Sequence, residues 1–207
     1  MASLSADPQV DRRAVAMDPA RQRDAVGSAV RYVLRHLGED PTREGLADTP
    51  RRFIEALREM TRGVEIDTAA MLRAARFHER ADEMIALCRV PFYSLCEHHL
   101  MPFHGTASVA YLPGKDGLVV GLSKMARLVD AHARRLQLQE RMTREIAGDM
   151  MQALDPQGVG VIVRAHHTCM GARGIKARGE MVTSSLLGLF REPQVRREFF
   201  ALDRETD

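Results

Sequence analysis

The sequence predicts an α+β fold, with a largely antiparallel sheet, one long helix crossing it and further helices ahead of it. Three observations predict this. Apolar residues recur at helical spacing in the first third of the chain, and short β-branched and aromatic runs take over from Met84. Those runs come as hairpin pairs on either side of one long amphipathic stretch. With 207 residues the chain can bury one good core. The expected organisation is a tail over 1–17, a helical region over 18–66 and a sheet-bearing domain over 67–207.

The first seventeen residues are small, polar and charged without periodicity, which reads as a tail. Asp18-Pro19 then resembles an N-cap followed by a first-turn proline. Val26, Ala29, Val30, Val33, Leu34 and Leu37 continue at helical spacing, and Gly38 supplies a stop. Thr49-Pro50 opens a second helix carrying Phe53, Ile54, Leu57 and Met60, which ends near Gly63. MIALCRVPFYSL (84–95) and GTASVAYLP (105–113) read as strands, and LVVG (118–121) continues the pattern after a turn at 114–117.

Ser123 is expected to cap a long helix from about Lys124 to Leu154, about 45 Å at 1.5 Å per residue. Its apolar stripe is Met125, Leu128, Val129, Leu136, Ile146 and Met150. Gln139 and Glu140 interrupt that stripe, and an amide and a carboxylate facing a sheet need partners or a ligand. Pro156 and Gly158 end the helix. GVGVIVRAHHT (158–168) and EMVTSSLLGLF (180–190) read as strands, and a short helix at Pro193–Phe200 closes the order. No internal repeat is visible.

Composition removes several function classes. A formal net charge of +2 is too close to neutral for a nucleic-acid coat or membrane-surface protein, so neither partner is expected. No apolar run approaches the ~20 residues of a membrane-spanning helix, and the N-terminal stretch lacks the apolar core of a secretory signal. The expected compartment is therefore the cytoplasm. Three widely spaced cysteines, Cys88, Cys96 and Cys169, make no disulfide framework, and in a reducing compartment they are buried, catalytic or metal-bound.

The chemistry concentrates in CEHHLMPFH (96–104), at a strand-to-strand connection where side chains converge without being core. Cys96 and His99 are spaced so that both point at one ion from a tight turn, and Cys169 supplies a third ligand after a later strand. Spacing alone leaves open whether His98 or His99 ligates. Thiolate with imidazole favours zinc, and three protein ligands plus water is the catalytic arrangement. Cys88 reads as a buried strand cysteine rather than a fourth ligand. Gly121-Leu122-Ser123-Lys124 at a helix start, with Arg127 one turn on, offers a phosphate cradle; the competing reading is a capped helix with basic residues on its solvated face. Arg134, Arg135 and Arg141 read as surface charge or subunit contacts, with no aromatic platform among them.

Taken together, these strings resemble the GTP cyclohydrolase I family. The resemblance rests on SLCEHHLMPFHG (94–105), VAYLPG (109–114), GLSKMARLVDAHARRLQLQERMT (121–143), AHHTCMGARG (165–174) and TSSLLGLF (183–190), and covers about Pro41 to Phe200. It implies one Zn2+ per subunit on Cys96, His99 and Cys169, with His98 and His167 as acid/base groups. It implies that Gln139 and Glu140 recognise guanine and that Ser123, Lys124, Arg127 and Arg173 hold the triphosphate. The implied activity is conversion of GTP by a zinc-activated water into formate and 7,8-dihydroneopterin triphosphate, the first step of pterin and folate biosynthesis. The implied fold is the tunnelling fold, assembling as a multimeric barrel: a decamer of two pentamers with shared active sites. His166, beside His167, occupies a place that is variable in the family, and a second histidine there could alter the pKa of its neighbour.

Overall fold

The computed structural model describes residues 19–204, so the tail at 1–17 and the capping role of Asp18 lie outside the described residues. Packing divides the chain into two compact units, Met1–Leu57 and Arg58–Asp207. In the first, α1 (Pro19–His36) is followed by turns and by α2 (Thr49–Thr61), which runs across the division. Gly38 adopts φ +84° just past α1, as a helix stop requires. Val26, Val33 and Leu37 of the α1 stripe are exposed.

The second unit begins with a 3-10 turn at Arg62–Glu65 and a short helix, α3 (Thr68–Arg73), capped by Asp67, whose side chain accepts from the Ala70 amide at 2.8 Å. A small two-stranded sheet pairs β1 (Arg76–His78) with β4 (Leu118–Val120). LVVG therefore leaves the main sheet rather than continuing it. The main sheet has the order β5-β2-β3-β6-β7, from Leu136–Gln137, Ile85–Cys96, Pro102–Leu112, Gly158–His167 and Glu180–Gly188. All its pairings are antiparallel except the short parallel contact of β5 with β2. The expected α+β architecture is observed.

Strand alternation divides the core. Phe92, Val109, Tyr111, Val161 and Val163 face Met125, Leu128, Ile146 and Met150 of α4 (Leu122–Ala133) and α5 (Gln139–Leu154). Ala110 and Ile162 face the other way, against Phe190 and Phe199, the latter on α7 (Pro193–Arg204). That helix runs four residues beyond its expected end because Asp203 is buried, accepting from Ser108 Oγ at 2.7 Å and from the Arg164 guanidinium at 3.0 and 3.1 Å. The close approach of β3 to β6 explains Gly105, where a Cβ would overlap the Arg164 carbonyl.

The long crossover helix is two helices. α4 stops at Ala133, and Leu136–Gln137 pairs with Leu95–Cys96 before α5 starts. No glycine or proline marks this break; tertiary pairing overrides helix propensity. The buried side chain of Gln137 holds it. Its Nε2 donates to the His132 carbonyl near the end of α4 (3.2 Å) and to Glu145 Oε2 (3.3 Å), and its Oε1 accepts from the Leu138 amide (3.0 Å). The break exposes Leu136 and moves Gln139 and Glu140 from mid-stripe to the first turn of α5. Ser123 is likewise no cap: Gly121 takes that position, with no side-chain cap bond.

One charged cluster is built into these helices. His132 is buried between Asp149 (Nε2 to Oδ2, 2.8 Å) and Glu145 (Nδ1 to Oε2, 3.3 Å), and Thr68 also donates to Asp149, at 2.6 Å. Burial pushes the imidazole pKa down, but the two carboxylates outweigh it and the net shift is upward. Burial opposes ionisation of Asp149 and Glu145 too, yet bonds from His132 lower both. The raised histidine contributes stability that is complete below its unfolded pKa of about 6.5 and is lost as pH rises through the folded value. The lowered carboxylates contribute stability above their unfolded values that is lost as pH falls through the folded ones. We predict that the contribution of this cluster to the melting temperature is greatest between about pH 5 and 6.5. His132→Gln should flatten its decline on the alkaline side, read by calorimetry from pH 5 to 9; an unchanged slope would remove the cluster from the account.

Candidate metal centre

Cys96 ends β2, and the chain turns back within five residues. The Leu100 amide donates to the Cys96 carbonyl at 2.8 Å and the Cys96 amide to the Met101 carbonyl at 2.9 Å, with Leu100 in the left-handed region at φ +52°. This tight loop brings His99 back over Cys96. A bidentate ion pair fixes it from outside: Arg141 of α5 reaches Glu97 at 2.6 and 3.0 Å. The Glu97 amide also donates to the Gln137 carbonyl at 3.2 Å, tying the loop to the helix break. Arg141, expected as surface charge or a subunit contact, is thus also a structural partner of this loop.

Cys169 arrives from β6 through a one-turn helix, α6 (Thr168–Gly171). β3 lies between β2 and β6, and its register sets Pro102 opposite Leu95 and Phe103 opposite His167. The ligand atoms of Cys96, His99 and Cys169 consequently lie within 4.8 Å of one another, the one such cluster among the described residues. Tetrahedral zinc with bonds of about 2.0–2.3 Å sets its ligand atoms about 3.5–3.8 Å apart, so the set closes on an ion with small movements. Burial raises the Cys169 thiol pKa, and the adjacent Cys96 sulfur raises it further. Two crowded sulfurs and an imidazole suit a thiophilic cation. Of the two histidines that spacing left open, it is His99 that joins the cysteines. Cys88 does not: it is half-buried, eight residues up β2 and about 25 Å away, beside Ser108 and Asp203.

His167 stands next to the cluster at the end of β6. Its ring lies flat on Phe103, with centroids 4.6 Å apart and planes 4° apart, and Nε2 meets Gln139 Oε1 at 2.8 Å. Burial lowers its pKa, with Glu140 pulling the other way. His98 is exposed on the loop, its ring 6.2 Å from that of His99 and edge-on to it. His166 points to the opposite face, towards His104 (centroids 6.1 Å), and is not among the groups that shift His167. Arg173 follows α6 and acts electrostatically on Cys169.

The polar pair of α5 separates in role. Gln139 is 1% exposed, with its amide engaged inside the chain, so its side chain presents no open edge to a guanine. Glu140 is exposed in the first turn, near enough to His167 to shift it. Ser123, Lys124 and Arg127 do not join the metal group. They lie at the start of α4, about 18 Å of helix from the end that leads to β5 and Cys96.

The model for the GTP cyclohydrolase I family matches residues 26–204, a longer stretch than the motifs alone covered. The chain is 50% identical over 182 residues to a GTP cyclohydrolase 1 of Synechococcus sp., covering 87% of this chain and 79% of that one. It is 50% identical over 183 residues to that of Alkalilimnicola ehrlichii (87% and 98%) and 46% identical over 184 residues to that of Coxiella burnetii (88% and 99%). No described helix is long and apolar enough to cross a membrane.

We predict one zinc per chain in purified protein, measured by elemental analysis after exhaustive dialysis. Cys96→Ala, His99→Ala and Cys169→Ala should each abolish retention, and Cys88→Ser should leave it intact. Glu97→Gln should weaken zinc affinity about tenfold by freeing the loop.

Proposed function

The chain belongs to the GTP cyclohydrolase I family, and we propose that it converts GTP and water into formate and 7,8-dihydroneopterin triphosphate at a zinc centre held by Cys96, His99 and Cys169. The observation that carries this reading is the convergence of that ligand set with a half-buried histidine, whose pKa is lowered by desolvation, and an exposed carboxylate. Zinc bound there would lower the pKa of a water to about 7 and so supply a nucleophile at neutral pH.

The chain's own residues supply the rest. Attack at C8 of guanine is slow until the neighbouring imidazole nitrogen gains a proton, which makes that carbon electrophilic. His98, exposed on the metal loop, is placed to exchange protons with solvent and substrate. His167, whose pKa is lowered by burial, is suited to accept a proton and return it as the ring opens and C8 leaves as formate. Opening and rearrangement of the ribose need further transfers of the same kind before the pterin ring closes. Glu140 accepts from guanine N1–H and the exocyclic amine, a pattern that adenine lacks, so ATP is rejected.

The triphosphate falls to Ser123, Lys124 and Arg127 with Arg173. The first three lie at the start of α4, about 18 Å of helix from the end that leads to β5 and Cys96. A second copy supplying its own α4 start would complete the site, in keeping with a decamer of two pentameric barrels. The exposed apolar stripe of α1 is a further surface for such contacts. The expected compartment is the cytoplasm, and the product would feed pterin and folate synthesis.

Zinc-loaded protein given GTP should release one formate per turnover and yield a product that fluoresces as a pterin after oxidation, with ATP inert. Unchanged GTP at full zinc occupancy would sink the assignment. His98→Ala and His167→Ala should keep zinc while losing about 10²- to 10⁴-fold in turnover. Sharing of sites has its own test. Glu140→Ala and Lys124→Ala, each inactive alone, should regain activity when co-assembled; persistent inactivity of mixed oligomers would place both clusters in one chain's site.

A further inference from the structure

We propose that Gln139 is a positioning residue that holds His167 as the Nε2–H tautomer, leaving Nδ1 as the ring atom that faces the chemistry. This rests on the reading of His167 as a proton-transfer group. The orientation follows from the donors and acceptors around one buried amide. Gln139 Nε2 lies 3.0 Å from the Val163 carbonyl, 3.0 Å from the Met181 carbonyl and 3.2 Å from Thr183 Oγ1. Carbonyl oxygens only accept, so the nitrogen of the amide must point at them. The reversed amide would set an oxygen against two carbonyl oxygens at a buried position.

With the amide fixed, Oε1 is the atom that meets His167 Nε2 at 2.8 Å, and an oxygen can only accept. The imidazole must therefore donate, and a neutral ring with its proton on Nε2 carries its lone pair on Nδ1. Two hydroxyls complete the support without conflict. Thr143 Oγ1 donates to the Gln139 carbonyl at 2.7 Å, which leaves Thr183 as donor in the 2.6 Å contact between the two hydroxyls. Thr183 Oγ1 is then free to accept from Gln139. Every proton in the chain from α5 through β7 to β6 has one direction. Phe103, lying flat on the ring, removes the remaining freedom of tilt.

This differs from a guanine contact in what a kinetic measurement reads. Loss of a substrate contact raises KM, whereas loss of a group that aligns a proton-transfer residue lowers kcat with KM kept. In zinc-loaded, full-length protein, Gln139→Leu keeps the shape and removes every bond. It should lower kcat at least tenfold with KM for GTP within about twofold. Thr183→Val, which removes one support and leaves the amide, should show a smaller loss of the same kind. The tautomer is read without any substitution, from the ring-nitrogen resonances of ¹⁵N-histidine wild-type protein assigned with His167→Gln. Protonated Nε2 with unprotonated Nδ1 in the neutral ring is expected, and loss of that pattern in Gln139→Leu would follow. A neutral ring protonated on Nδ1, or a Gln139→Leu enzyme with raised KM and unchanged kcat, would overturn the proposal. Full turnover in His167→Ala would instead sink the role of His167 itself, a failure separate from that of the tautomer.

Discussion

The register of one central strand governs the site. β3 pairs with β2 on one side and β6 on the other, and these two ladders decide that the end of β2 and the end of β6 stop at the same level. A shift of one residue in either ladder would turn every side chain of that strand to the other face and carry Cys169 away from Cys96. The close pass at Gly105, where no Cβ fits, lies within this stretch. Metal ligands more than seventy residues apart are thus brought together by ordinary ladder bonds, with a tight turn on one side and a single helical turn on the other.

The break between α4 and α5 serves the same end. An unbroken helix would hold Gln139 and Glu140 in mid-stripe, away from any helix terminus. With Leu136–Gln137 drawn against β2, α5 begins beside the metal loop, and its first turn carries an amide into the core and a carboxylate towards solvent. Two residues along, Arg141 clasps Glu97 in the loop. Helix start, strand end and metal loop are one assembly, and Gln137, which bonds to α4, α5 and the turn between them, is its fastening.

Burial sorts the polar residues by task. Gln139, Thr143 and Thr183 are hydrogen-bonded inside the chain and act by holding others in place. His98, His99 and Glu140 are exposed and have room for an ion or a ligand. The basic residues at the start of α4 belong to neither set.

The motifs by themselves determined the family, the α+β class and the residue types of the metal set, because spacing within CEHH and the strand-ending HTC reflects local backbone geometry. The strands were legible for the same reason, alternation being a property of neighbouring residues. What only the tertiary structure decided depends on partners distant in sequence. Spacing left His98 and His99 open and the family resemblance implied His99; the position of His99 beside both cysteines comes from where the β2 turn meets α6. A helix with unbroken propensity breaks because two of its residues are worth more as a strand against β2. Arg141 belongs to Glu97, forty-four residues away, which no local pattern announces. Gln139 and Glu140 were marked as needing partners or a ligand; Gln139 finds its partners in β6 and β7, while the Glu140 side chain makes no hydrogen bond among the described residues. Sequence named the polar residues that required an explanation; only packing could say which were satisfied within the chain and which were left for a ligand.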